Sequence, residues 1–249
     1  MRTKQRSRTQ EDASVLTLPP VFRPVRLREV GDAFTQACAN AADLGAGALV
    51  FVGRFDLAEF AVVLEPEEPF ASARRAAFYA GMVALADTLA ALAPPEKPVT
   101  IAWPDTIRVD GGIVGGGRLG WPKRVSDDKP PAWLVFGAMI RTVSMISDAG
   151  LHPLVTALEE EGFSEVSSER LIEGFARHLM VAMDRWQESG FAPIARDYVA
   201  RLEAAEARGV IDANGDFSSG SGQARARRAL LPALLKPAWR DPATGGPLT

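Results

Sequence analysis

Residues 100–121, TIAWPDTIRVDGGIVGGGRLGW, decide how the rest of the chain is read. They begin inside a short β-forming run, 99–103, turn at Trp103-Pro104, and continue into a second short strand. Six glycines then fall among the eleven residues from Asp110 to Gly120. Glycine admits positive φ and close backbone approach, so such a run can present N–H groups that cradle an anion. Asp105 and Asp110 add carboxylates. Arg118 adds a permanent cation that can hold a carboxylate or phosphate through two N–H groups at once. The pattern predicts a strand–turn–strand unit with Gly115, Gly116 and Gly117 facing a pocket. A tight hairpin with glycine bulges is the plainer alternative, and the run alone does not choose between them.

Upstream, residues 30–43 read as a short helix closed by Gly45 and Gly47. Residues 48–55 and 57–65 read as two strands close enough to pair. Residues 70–92 read as a long helix, with Phe78, Met82, Leu85, Leu89 and Leu92 laying one apolar stripe against a sheet, ended by Pro94-Pro95. Downstream, residues 133–143 form a strand whose internal Gly137 marks a close approach by backbone or ligand. Ser167 or Ser168 caps a helix with a stripe of Leu171, Phe175, Leu179, Ala182 and Trp186, stopped by Gly190. Pro193 suits the first turn of another helix, reaching about Arg208 and halted by Gly209. Strands with one long helix among them, then helices, give an α+β fold around one sheet. The expected organisation is a loose lead-in over 1–20, one domain over 21–208 and a small appendage over 209–249. In the appendage Asn214-Gly215 marks a turn, 218–222 a flexible link and 224–235 a short basic helix. It is too small to fold alone and leans on the domain through isolated residues such as Leu230, Leu234 and Trp239.

The composition, 47% hydrophobic and 24% charged, is that of an ordinary globular chain. A net charge of −3 supplies no basic field for nonspecific nucleic-acid binding. Arg2, Lys4, Arg6 and Arg8, and Arg225, Arg227 and Arg228, read as solvated tails or helix faces. No uninterrupted apolar run reaches the roughly 18 to 20 residues of a membrane span. Glu11 and Asp12 follow the basic start, which is not a signal-peptide pattern. The expectation is a cytoplasmic protein without nucleic-acid or membrane partners. The single Cys38 excludes an internal disulfide and reads as a buried, inert thiol. His152 and His178 have no sequence neighbours that suggest a triad or a metal site, and Glu159, Glu160 and Glu161 read as a solvated helix end.

Trp103-Pro104-Asp105, followed by residues 110–116, DGGIVGG, resembles the W-P-N-D … K-(L/V)-(A/G)-G signature of biotin and lipoate protein ligases. Residues 134–140, LVFGAMI, are similar to that family's G-x-G-x-N strand, and 158–162 through Gly190-Phe191 and Tyr198 to its downstream helices. Residues 65–69, EPEEP, and 93–98, APPEKP, look typical of a branch described as the biotin/lipoate A/B protein ligase family. The resemblance covers about residues 20–205. It implies a mixed β-sheet flanked by helices, class II synthetase-like, with the C-terminal appendage outside it. It implies a pocket for biotin, lipoate or octanoate and for ATP with Mg2+. There the acid is activated as an acyl-adenylate and passed to a lysine of a carrier domain.

Carried over by position, Trp103 and Pro104 would shape the wall near the adenylate. Asp105 stands where asparagine is usual, with Thr106 at the following aspartate. Gly115 matches the glycine after the signature lysine, and Gly116, Gly117 and Gly137 complete the lining. The lysine itself falls on about Gly112, and of the family's G-R-G-R-R-G loop only Gly53-Arg54 remains. Adenylation depends chiefly on preorganised cations and N–H donors, each worth roughly 10²- to 10³-fold in rate. Arg54, Arg118 and Lys123 are the candidates to replace what is lost. Two functions therefore stand: a working ligase or acyltransferase, and a catalytically silent ligase fold that binds an acyl cofactor or a carrier protein. The first needs those cations around one concave site with the glycine strand. The second fills that site with side chains.

Overall fold

The computed structural model describes residues 16–27, 31–145, 154–164, 166–220 and 226–248. A seven-stranded mixed sheet forms the centre. In chain order its strands are β1 (Arg23–Leu27), β2 (Ala48–Val52), β3 (Leu57–Leu64), β4 (Val99–Ala102), β5 (Thr106–Val109), β6 (Gly112–Gly120) and β7 (Leu134–Arg141), arranged β1-β2-β3-β7-β6-β5-β4. Only β1 and β2 run parallel, joined through α1 (Ala33–Leu44); every other pair is antiparallel. β2 and β3 are buried almost throughout, as runs of valine, alanine and phenylalanine must be when both sheet faces are covered.

Helices α2 (Phe70–Leu92) and α3 (Ser168–Ser189) cover one face, and α1 covers part of the other. The sequence assigns α2 one buried stripe, but the helix is buried on nearly every side, including Ala73, Ala76, Tyr79, Ala80 and Val83. It lies between the sheet and α3 with α4 (Phe191–Val199), which explains an all-round apolar surface. By length and composition α2 could cross a membrane, yet 72% of its apolar window is buried inside the fold. Its start carries no side-chain cap. The Phe70 and Ala71 amides donate instead to the carbonyls of Lys129 (2.8 Å) and Asp127 (3.1 Å).

Several expected boundaries move. α1 starts at Ala33, because Asp32 caps it by accepting from the Thr35 amide. α4 ends at Val199 and not near Arg208, and the chain then turns so that the Ile101 amide and carbonyl bond to Arg201 and Glu203. Glu159, Glu160 and Glu161 lie in a turn, where Glu161 pairs with Lys97 at 2.8 Å. In the expected lead-in, Leu16 belongs to the core; residues 1–15 lie outside the described residues, as does His152. Beyond residue 209 a second sheet forms, β8 (Val210–Ile211), β9 (Phe217–Ser219) and β10 (Ala226–Arg228), ordered β10-β9-β8. Residues 218 and 219 are therefore strand, and the expected basic helix is replaced by β10 and a short helix, α5 (Leu230–Leu234); residues 221–225 of those two expected segments lie outside the described residues.

Candidate functional site

The expected turn at Trp103-Pro104 joins β4 to β5, while β5 and β6 form the plainer alternative, a tight hairpin around Asp110-Gly111 with a glycine bulge. Both turn residues have positive φ, 49° and 86°, the requirement of a two-residue hairpin turn. The pairing shifts register between Ile107 and Arg108, opposite Gly115 at φ 145°. A Cβ on Gly115 would stand 1.9 Å from the Met139 carbonyl oxygen, so this bulge demands glycine.

Side chains alternate along β6. Gly116, Arg118 and Gly120 face the α1 side, with Gly137, Met139 and Arg141 of β7 beside them. Gly115, Gly116 and Gly117 do not face the open pocket that the sequence predicts: Gly115 meets the β7 backbone, and the other glycines here are met by side chains. The Trp239 indole lies over Gly116, Phe34 lies over Gly137, and Cys38 with Phe34 lies over Gly120. Gly117 faces the opposite side and meets Met82 and Phe136. Trp239 is wholly buried, and its Nε1 donates to the Gly117 carbonyl at 3.1 Å.

Arg118 is 7% exposed. Its guanidinium pairs with Asp32 and lies 4.0 Å from the centre of the Phe34 ring. Burial and the nearby Arg240 lower its pKa, against the pull of Asp32 and Glu59. Burial works to raise Asp32, but Arg118 and the Thr35 N–H and O–H groups hold it below the usual carboxylate range. Glu59, buried in β3, accepts from the Ala33 amide at 2.6 Å; burial leaves its carboxyl raised. Two carboxylates thus meet the N-terminus of α1, where exposed N–H groups favour negative charge. Five buried guanidinium nitrogens have no acceptor among the described residues, and two of them, Arg118 Nε and Arg141 Nη1, lie on this face.

Asp105 is 1% exposed, and burial pushes its carboxyl up to about 7. It accepts from Thr106 Oγ1 at 3.1 Å and from the Ala238 amide at 3.2 and 3.3 Å, while its carbonyl accepts from the Gly117 amide. Burial also pushes the Cys38 thiol up to about 11, keeping it protonated and a poor nucleophile near neutrality.

Of the predicted site residues, the fold brings together Asp105, Gly115, Gly116, Arg118 and Gly137, with Gly117 contributing its carbonyl. Trp103 and Pro104 adjoin this group but serve the core. The Trp103 ring stacks on Phe217, and its Nε1 donates to Tyr79 Oη at 3.1 Å, while Pro104 offers its carbonyl to Tyr198 Oη at 2.7 Å. Arg54, between β2 and β3, is bound by Asp56 through two hydrogen bonds of 3.0 and 2.5 Å. Asp110 sits in the turn, paired with Lys97 at 2.7 Å, and Lys123 is exposed on the loop after β6; neither joins the cluster. Asp32, Phe34, Glu59, Arg141 and Trp239 are the site residues that the sequence reading misses. Asp32 before Thr35 is a legible cap, and Glu59 inside an apolar strand is a legible anomaly.

This sheet, with helices on its two faces and a glycine strand beneath α1, is the fold of the biotin protein ligases. A biotin protein ligase-like protein of unknown function from Silicibacter sp. superposes with a TM-score of 0.72 at 28% identity, over 86% of this chain and 96% of that one. The Aquifex aeolicus biotin protein ligase in complex with biotin and ATP gives 0.63 at 10% identity, over 82% and 94%. The Leishmania major ligase in complex with biotinyl-5-AMP gives 0.52 at 14%, over 80% and 94%. The chain belongs to the biotin/lipoate A/B protein ligase family, whose model matches residues 18–200. No curated protein matches it in sequence.

Proposed function

We propose that this protein binds a small carboxylic acid of the biotin, lipoate or octanoate kind on the α1 side of its sheet, and that it does so without transferring the acyl group. The observation that carries this reading is that two of the five buried guanidinium nitrogens without an acceptor among the described residues, Arg118 Nε and Arg141 Nη1, lie together on that face. An unmet buried donor costs about 1–3 kcal/mol, and a carboxylate is the partner that guanidinium geometry favours. Arg118 pairs across the sheet with Gly137, four residues from Arg141, so the two donors bracket Met139 and the slot over Gly116.

Against transfer stands the supply of cations. The position of the family's lysine falls near Gly112, Asp32 offsets the charge of Arg118 while leaving its Nε without an acceptor, Asp56 holds Arg54, and Lys123 is exposed. Charge developing on phosphorus would meet little preorganised compensation. The second reading, a working ligase using ATP with Mg2+ and a biotinyl or lipoyl carrier domain in the cytoplasm, draws on the ligase fold and on the biotin and ATP bound by the Aquifex aeolicus neighbour.

A thermal-shift panel of biotin, lipoate, octanoate and ATP tests the proposal, since a ligand that binds only the folded state raises the melting temperature. One acid should raise it without ATP, and acid plus ATP should release no pyrophosphate. Acid-dependent pyrophosphate release would establish the ligase reading instead. No shift with any acid would remove the binding reading.

A further inference from the structure

We infer that residues 237–248 form a strap closed over the α1 side of the sheet, which must lift before a ligand reaches Gly116 and the arginines; this rests on that face being the ligand face. The slot under the strap is shaped for a flat ring. Gly116 is the only residue type that fits there, because a Cβ would stand 2.3 Å from Trp239 Cδ1 and 2.0 Å from the Asp105 carbonyl oxygen. The indole fills the slot and makes one polar contact, from Nε1 to the Gly117 carbonyl. Trp239 therefore occupies the space over Gly116 that a ligand on this face would need.

The strap is built to move as one piece. Its ends are tied to each other, Leu248 N to Trp239 O at 2.8 Å, and its turn closes on itself through Asp241 N to Gly246 O at 2.9 Å and Gly245 N to Asp241 O at 2.8 Å. None of these bonds is lost on lifting. Among the described residues its polar ties to the sheet side are, besides the Trp239 bond to Gly117 and a 3.4 Å bond from Arg141 Nη2 to the Pro247 carbonyl, three more. The Ala238 amide reaches the Asp105 carboxyl at 3.2 and 3.3 Å, Arg141 Nη2 donates to the Leu248 carbonyl at 2.8 Å, and Arg240 lies 3.6 Å from Asp32. Before the strap, α5 is anchored by buried Leu230 and Leu234, while Leu235 is 66% exposed, so the connection between them can turn without disturbing the core.

Lifting frees a specific set of groups: the Gly117 carbonyl, the Asp105 carboxyl and the Arg141 guanidinium. Two acceptors beside a glycine slot and a cation at its end suit a flat ring with an N–H donor, joined to an acid. The strap mimics that ligand with an indole N–H and a backbone carbonyl. Its closed population lowers the apparent affinity for any competitor in proportion.

Native-state hydrogen exchange on the full chain tests the strap without any ligand. The Ala238, Gly245 and Leu248 amides should exchange together, with little denaturant dependence, while β6 and β7 amides stay protected until global unfolding. Exchange of the strap amides only through global unfolding would overturn the inference. Calorimetric titration of biotin, lipoate and octanoate into wild type and Trp239→Ala supplies the second arm. The variant should bind the preferred acid at least tenfold more tightly, and equal affinity would overturn the inference. Binding of no acid to either protein would remove the proposed acid-binding function, and the exchange result alone would then decide the strap.

Discussion

Asp105, which the resemblance sets where the ligase signature has asparagine, is buried, and its burial makes the difference measurable. Its folded-state pKa, about 7, lies above the ordinary 3.8, so the fold favours the protonated form. That contribution is complete below about pH 4 and is lost as pH rises through about 7. Asp105→Asn keeps an acceptor for the Ala238 amide and has no charge to bury. Wild type should therefore lose on the order of 2 kcal/mol relative to the variant between pH 5 and pH 8, read by paired thermal melts. A constant difference across that range would show that Asp105 is not held neutral. Arg118 carries a different expectation. Arg118→Ala strands Asp32 against the helix start and should cost about 2 kcal/mol or more in denaturant unfolding.

At the scale of elements, β6 shows why glycines cluster. Gly115→Ala would place a methyl group against the Met139 carbonyl at a φ that side chains avoid, and should cost about 3 kcal/mol in chemical denaturation. Gly111→Ala, in open space but at φ 86°, should cost about 1 kcal/mol. Equal costs would mean that turn strain, and not crowding, selects these glycines. The elements themselves were largely legible, because the long apolar, proline-free run of 70–92 and the Ser167 cap are local signals that survive in the folded chain, although the single stripe read on α2 does not. The start of α1 was misplaced because its cap, Asp32, lies inside the segment read as helix. The end of α4 was misplaced because pairing with β4, and not a glycine stop, terminates it.

For the molecule as a whole, sequence reading reached the family and the sheet but not what covers the glycine strand. Gly115, Gly116, Arg118 and Gly137 announced themselves through residue type and a known signature. Trp239 did not, because its bond to Gly117 spans 122 residues, and no local pattern encodes such a contact. The same holds for Ala238 on Asp105, 133 residues away. Arg118 could be named but its partner could not, since Asp32 is brought to it only by packing α1 on the sheet. Whether this face holds an acid through Arg118 is decided by calorimetric titration of the preferred acid into wild type and Arg118→Lys, because lysine keeps the charge opposite Asp32 but loses the guanidinium fork. The variant should bind about 10- to 100-fold more weakly, the range for hydrogen bonds to charged groups; affinity equal to wild type would take Arg118 out of the site.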